Sequence, residues 1–378
     1  MKYYIIAGEA SGDLHASNLM KGLREVDSQA QFRVWGGDLM QAQGGVVVRH
    51  IRDLAFMGVW EVLKNLRTIF GHLALCERDL MSFRPDVLIL VDYPGFNLKM
   101  ARFAHKQGLP TFYYIAPKIW AWKESRIHTI RKFVDRLFVI FPFEVSYYDQ
   151  HQMSVVYEGN PLKDAIADYL RQAETREAFM ARHQLPDKPL IALIPGSRHQ
   201  ELKWILPEMI QLVPRFPGYQ FVVSGVPSIE RSVYDSLMQG AALPLIFGET
   251  YNLMNFAQAA VVTSGTATLE TALFGTPQVV VYKTSPVTYA IGRPFVHIEF
   301  FSLVNIIMKR QVVKELLQFG LPGDMERELR RLLYDEDYRA RMLQEYQTLQ
   351  QSLGEPGVSR RVAAQMVATL KGSLTRKP

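Results

Sequence analysis

The sequence has little of what would make its chemistry obvious. It holds one cysteine, Cys76, in 378 residues, so no internal disulfide and no thiolate metal cluster can form. A reducing compartment is therefore expected. No apolar segment approaches the ~20 residues that a helix needs to cross a bilayer. The start, MKYYIIAGE, has too short an apolar run for a signal peptide. Together these predict a cytoplasmic protein, one that can still lie on a membrane. There is no H-E-x-x-H, no Cys/His metal spacing, no Walker A motif and no G-x-G-x-x-G. Ser11 is not at the centre of a G-x-S-x-G nucleophile elbow. The one Asp-x-Asp, at 335–337, opens a late charged helix, where a carboxylate is a cap rather than a metal ligand. No metal and no cofactor is expected. Charge of one sign is also scarce: 43 Lys and Arg against 37 Asp and Glu leave a net +6. Such an excess suits acidic small molecules or an anionic lipid surface. The basic residues at 123–136 are spread around one helix, so no nucleic-acid partner is predicted.

What is present is an alternation. Short apolar runs such as KYYIIAG, QFRVWGG, DVLILVD, PTFYYIA, DRLFVIF and SVVYEG are separated by segments of helical period, notably 96–107 and 124–133. Continuous apolar strands like Val87–Val91 indicate a sheet covered on both faces, and the order βαβαβ predicts a parallel, doubly wound sheet. The pattern weakens over 168–188, where LPDKP reads as a linker. It resumes with PLIALIPG, YQFVVSG, PLIFG, AAVVTSG and PQVVVYK. The length and this interruption predict two domains, 1–165 and 186–350, with a last helix from 356 on that packs back on the first. Ligands of such sheets bind beyond the carboxyl ends of the strands, so the loops after strands are the informative ones.

Four of those loops stand out. Gly8–Asp13 follows the first strand; Gly8 and Gly12 permit close backbone approach, and Ser11 or Asp13 can cap a helix whose pattern begins at Leu14. The plain alternative is a tight strand–helix turn. Asp92 ends DVLILVD, where a carboxylate can take a proton from a substrate hydroxyl, or else cap the next helix. Arg198, in IPGSR, opens a helix at the end where the macrodipole disfavours a cation, which suits a guanidinium held there for phosphate. In VVTSGTATLETAL the strand ends at Ser264 and Gly265, and a helix begins at Thr266 and Ala267, with Glu270 inside its first turns. Small residues let a diphosphate sit on that helix N-terminus, and Glu270 can reach a ribose diol. The alternative is a snug helix–sheet contact. A fifth segment, 55–73, is apolar around too much of its helix for one core-facing stripe. It reads as a buried helix or as one lying in a membrane interface.

Together AGEASGD, MGVWEVL, DYPGFN, APKIWAW, FPFE, IPGSR, SGTATLETAL, SLVNII and VVKELLQ run in order over nearly the whole chain. They resemble the lipid-A-disaccharide synthase family, inverting glycosyltransferases of the GT-B fold, an α/β class with two doubly wound, Rossmann-like domains facing across a cleft. The resemblance implies a reaction: UDP-2,3-diacylglucosamine gives its sugar to the 6-hydroxyl of 2,3-diacylglucosamine-1-phosphate, forming a β(1→6) disaccharide and UDP. It implies that Asp92, Arg198 and Asn305 match positions needed for activity. Asp92 is then the general base, and Arg198 with the amides around Gly265, Thr266 and Ala267 steadies the diphosphate. Glu270 holds the ribose, while Ser11 and Gly12 help hold the acylated sugar or its phosphate. Acylated substrates favour the membrane reading of 55–73, with Trp60, Leu63, Leu66 and Phe70 as contacts and the inner membrane surface as a partner. A homodimer is left open. Two positions depart from the family: Asn160 stands where His is usual, and Val304 where Pro is usual. A UDP-sugar 2-epimerase of the same fold is the competing reading.

Overall fold

A computed structural model describes residues 1–54, 66–120, 124–286, 289 and 299–374. The chain divides into two compact units, Met1–Ala165 with Leu353–Pro378, and Ile166–Ser352.

The first unit is built on strands β1 Lys2–Ala7, β2 Gln31–Gly36, β3 Val46–His50, β4 Val87–Val91, β5 Thr111–Tyr114, β6 Arg136–Val139 and β7 Val156–Tyr157, in the order β3-β2-β1-β4-β5-β6-β7. All pairs are parallel, and β1 lies against both β2 and β4. Side chains alternate between two cores. Tyr3, Ile5 and Ala7 join one with Leu19, Leu23, Val362 and Met366, while Tyr4 and Ile6 join the other with Leu80, Met100 and Ile130. That double burial is why β4 can be apolar throughout. Cys76 belongs to the second core, and burial pushes its thiol well above its usual range, so it is no nucleophile.

The last helix, Val358–Leu374, lies in the first unit along the helix Ala10–Val26. Glycine is required where they cross: a Cβ on Gly22 would fall 2.8 Å from the carbonyl oxygen of Ser359. Asp164 fixes the start of that helix by accepting the N–H groups of Gly357, Val358 and Ser359 at 2.5, 3.0 and 2.7 Å.

The second unit repeats the plan. Strands β8 Leu190–Ile194, β9 Gln220–Gly225, β10 Leu245–Phe247, β11 Ala257–Thr263, β12 Gln278–Tyr282 and β13 Lys314–Leu317 are ordered β10-β9-β8-β11-β12-β13, again all parallel. The segment read as polar and linker-like folds as the helices Leu162–Gln172 and Arg176–Arg182, and Phe179 and Met180 enter the second unit's core. The short edge strands β3 and β13 escape the sequence pattern, because VVVRH and KELL are only half apolar.

In both sheets the winding reverses direction beside the first strand: between β1 and β4, and between β8 and β11. Such a switch point leaves a crevice at the carboxyl edge, where the loops on either side diverge. The four singled-out loops follow these four strands.

Candidate functional site

At the first switch point, Ala7 pairs with Val91, so Gly8 and Asp92 leave the sheet side by side. The helix after β1 begins earlier than its apolar pattern, at Ala10 rather than Leu14, with Glu9 at the cap position and no side-chain cap. Ser11 and Gly12 thus lie in its first turn. Their N–H groups and that of Ala10 precede the first intrahelical acceptor, since the first helical bond runs from Asp13 to Glu9. Neither Ser11 nor Asp13 caps this helix. Asp13 is buried and instead accepts the N–H groups of Gly37, Leu39 and Met40 at 2.7, 3.1 and 3.2 Å, capping the helix Asp38–Ala42. Ser11 is exposed.

Asp92 does not occupy the cap of the next helix: Tyr93 does, ahead of Pro94–Lys106. Asp92 and Tyr93 are both left-handed, with φ of +44° and +48°. Two such residues in succession cost on the order of 1–3 kcal/mol each. The five buried side chains of β4, at about 1.5–3 kcal/mol apiece, outweigh that cost. The geometry is also pinned locally. The carbonyl of Asp92 accepts the Asn97 side-chain amide at 2.7 Å and the Tyr113 hydroxyl at 2.5 Å, and Asn97 also reaches the carbonyl of Val91 at 3.2 Å. Asn97 and Tyr113 are the supports the sequence did not reveal; only the short spacing of Asn97 from Asp92 hinted at one.

At the second switch point, Ile194 pairs with Val262. Arg198 is the cap residue of the helix His199–Ile210, and its guanidinium, 52% exposed, lies 3.0 Å from Glu201 Oε1. The other oxygen of Glu201 accepts the N–H groups of Ser197 and Arg198 at 3.0 and 3.3 Å. Gly196 has φ +105°, and a Cβ there would strike Glu201 Oε2 at 2.4 Å. Glu201 therefore closes a capping box over this turn, with one oxygen on the Arg198 guanidinium and the other on the two amides. Glu201 was legible only as a capping-box spacing, three residues after Arg198.

Beside it, Gly265 opens the helix Thr266–Leu273 with φ +156°, and a Cβ there would meet open space. Thr268 turns its hydroxyl back on the Gly265 carbonyl at 2.8 Å, and Thr271 does so on that of Ala267 at 2.7 Å. The N–H groups of Thr266 and Ala267 precede the first helical acceptor. Glu270 accepts the Tyr251 hydroxyl at 2.9 Å; burial raises its carboxyl above the usual range, partly offset by that bond.

Asn305 is wholly buried, and its amide is fully engaged within the second unit. Its nitrogen donates to the Val313 carbonyl at 2.9 Å and to Glu315 at 2.8 Å; its oxygen accepts Val312 N–H at 2.7 Å and Val313 N–H at 3.0 Å. Glu315 also holds the N–H groups of Phe301 and Ser302 at 2.8 and 2.9 Å, and the Phe301 carbonyl accepts Ser264 Oγ at 2.8 Å. Asn305 is thus tied to the Gly265 turn by a chain of bonds.

Of the proposed membrane contacts, Trp60 and Leu63 lie outside the described residues, as does the side chain of Leu66. Phe70 is 59% exposed on the helix Leu66–Phe83, with the Lys99 ammonium 5.4 Å from its ring centre. Among the described residues no helix is long and apolar enough to cross a membrane, and no three His, Cys, Asp or Glu side chains cluster as a metal site.

The model of the family described as lipid-A-disaccharide synthetase matches residues 3–368. The chain belongs to the lipid-A-disaccharide synthase family. Its similarity to the lipid-A-disaccharide synthase of Syntrophus aciditrophicus is 37% identity, over 98% of each chain. As a member it is a glycosyltransferase, of the hexosyltransferase kind. Solved neighbours give the GT-B class. The UDP-GlcNAc 2-epimerase from Neisseria meningitidis, bound to UDP-GlcNAc, aligns with TM-score 0.70 at 14% identity, covering 97% of this chain and 100% of that one. The glycotransferase of kitacinnamycin aligns at TM-score 0.64 and 12% identity, covering 98% and 99%. At such identities they share the fold alone, so the epimerase reading has no support beyond architecture. The two departures from the lipid-A-disaccharide synthase pattern are both buried. Asn160 bonds the Ile140 carbonyl and the Leu162 N–H at 3.1 and 3.0 Å, and its side chain is spent there. Val304 sits in the first turn of Leu303–Met308, where a proline would fit; Ser302 caps that turn through the Asn305 N–H at 3.2 Å.

Proposed function

We propose that the protein transfers the diacylglucosaminyl group of UDP-2,3-diacylglucosamine to the 6-hydroxyl of 2,3-diacylglucosamine-1-phosphate. The C1–O bond to UDP breaks as the new β(1→6) bond forms, with inversion, and UDP leaves with the electron pair. Asp92 takes the hydroxyl proton as the oxygen attacks. Arg198, with the N–H groups of Thr266 and Ala267, steadies charge growing on the diphosphate. Glu270 holds the ribose. Ser11 and Gly12 hold the acceptor beside Asp92. Asn305 acts through Glu315 and Ser264 by shaping the Gly265 turn. The observation that carries this reading is family membership across residues 3–368, in a chain whose two switch points bear Asp92 and Arg198.

The test is disaccharide formation from both substrates, comparing the parent with Asp92→Asn. A drop in kcat of about 10²–10⁴-fold is expected for a lost general base. Equal rates would remove Asp92 from the reaction. A parent that converts UDP-diacylglucosamine without acceptor would instead be an epimerase.

The substrates carry acyl chains, and the reading extends to work at an anionic lipid surface through Trp60, Leu63, Leu66 and Phe70; the exposed Phe70 supports it. Serine at Leu63, Leu66 and Phe70 is expected to reduce co-sedimentation with anionic vesicles without changing the melting curve. Undiminished co-sedimentation would count against it.

A further inference from the structure

Among the described residues of the first unit, Glu144 is the least exposed carboxylate, at 1%. It sits in the first turn of the helix Pro142–Gln150, just past β6, at the carboxyl edge that carries Asp92 two strands away. One oxygen accepts the N–H groups of Ile140 and Phe141 at 3.1 and 3.0 Å. The other accepts the indole N–H of Trp120 at 3.3 Å. The first two bonds are an ordinary helix cap. Taking an ionised carboxylate out of water costs more than such a cap returns. A cap at the surface would serve the helix with no such cost, so capping does not account for this burial.

The third bond does. Trp120 belongs to the loop that follows β5, which begins with Ile115 at φ +62° and carries the exposed Lys118. Its ring meets Phe143 edge-on at 5.0 Å, and Phe143 stacks on Phe141 at 5.6 Å. Glu144 thus ties the loop after β5 to the corner after β6.

We propose that Glu144 is a positioning residue for the acceptor: through Trp120 it fixes the loop 115–120, which presents the Trp120 ring and Lys118 to an anionic sugar phosphate at the edge that holds Asp92. The inference rests on the function proposed above and names the part of the chain that holds that acceptor. Burial pushes the Glu144 carboxyl up to about 7, against the pull of its three N–H bonds and of Lys118. The other titratable groups facing it are Tyr148 on its own helix and Tyr157 on β7. Above that pH the carboxylate accepts all three donors; below it, one oxygen carries a proton and the hold on Trp120 loosens. Stability runs the other way. The folded pKa lies above the unfolded one, so the folded state takes up the proton between about 4.5 and 7 and gains stability as pH falls. A glutamate that only supported the fold would not move substrate binding and stability in opposite directions.

The experiment compares the parent, Glu144→Gln and Trp120→Phe from pH 6 to 8.5. It measures kcat, both KM values, the melting temperature, and equilibrium binding of diacylglucosamine-1-phosphate in detergent micelles. Glu144→Gln is expected to raise the acceptor KM at least fivefold at pH 8, leaving the donor KM within twofold. The parent's acceptor KM should rise on going from pH 8 to 6.5 while its melting temperature rises, and both trends should flatten in the variant. Trp120→Phe, at a partly exposed site, should also raise the acceptor KM. An unchanged acceptor KM in Trp120→Phe overturns the proposal even if Glu144→Gln fails to fold. So does an equal rise in both KM values, or a pH trend that survives in Glu144→Gln. A parent that makes no disaccharide yet binds the acceptor more tightly than Glu144→Gln sinks the function reading and keeps this one. A parent that binds no acceptor sinks both.

Discussion

Gly8 lies under the ring of Tyr93: a methyl group on Gly8 would fall 2.3 Å from the Tyr93 Cγ. The two residues follow neighbouring strands, and Tyr93 is the second of the two left-handed residues that begin at Asp92. The loop after β1 is therefore the floor on which the Asp92 turn rests. The Gly-Glu-Ala-Ser-Gly-Asp run is glycine-led for this contact as well as for any ligand.

Gly8→Ala is expected to push Tyr93 aside and carry Asp92 with it. Overpacking of this kind costs about 1–3 kcal/mol, and kcat should fall at least tenfold. Gly12→Ala, whose Cβ would meet that of Ala7 at 3.2 Å, should be milder on both counts. Melting curves and initial rates check this; a fully active Gly8→Ala would refute it.

Asn97 and Tyr113 hold the Asp92 carbonyl, so Asn97→Ala and Tyr113→Phe should lower kcat more than they raise either KM. Asn97→Ala takes a donor from the carbonyls of Val91 and Asp92, and Tyr113→Phe takes one from that of Asp92, at about 1–3 kcal/mol for each lost bond. Steady-state kinetics on both substrates read the split. A change confined to KM would mean the turn keeps its shape without them.

Asn305 and Asp92 should fail differently. Asn305→Ala strips the Val312 and Val313 amides and Glu315 of partners, so it should lose activity and stability together, by about 2–4 kcal/mol. Asp92→Asn should lose activity with a melting curve near the parent's. Thermal unfolding monitored beside turnover separates the two. An inactive Asn305→Ala with unchanged melting would give Asn305 a direct role toward substrate.

Acid should destabilise the first unit through His15. Burial depresses its pKa to about 4 despite the nearby Asp164, and its Nδ1 is buried without a hydrogen-bond partner. The unfolded chain binds that proton near pH 6.5 and the folded one does not. Stability from the neutral ring is thus complete above about 6.5 and declines by about 3 kcal/mol as pH falls to 4. Urea unfolding of His15→Gln should show a weaker acid decline over that window; an identical slope would remove His15 as the cause.

The doubly wound plan was legible because buried parallel strands read as unbroken apolar runs, and the switch points follow from strand order. The placement of Asp92, Arg198 and Gly265 at the carboxyl ends of strands was legible because each follows an unbroken apolar run. What escaped was tertiary. The VVVRH and KELL strands pair on one side only and need fewer apolar residues. Helix 176–182 hides Phe179 and Met180 among charges. The engagement of the Asn305 amide depends on β13, which the pattern did not reveal, and the bonds of Glu315 to Phe301 and Ser302 and of Glu144 to Trp120 join segments that lie apart in the sequence.

The closing helix of the chain completes the core of the opening domain. Val362 and Met366 cover Leu19 and Leu23, yet residues 166–352 are synthesised in between. At the usual 5–20 residues per second, the nascent domain waits roughly 10–40 s with that apolar face bare. Its maturation is therefore set by translation rather than by local folding speed, and a ribosome-bound holdase has a defined surface to shield during that interval.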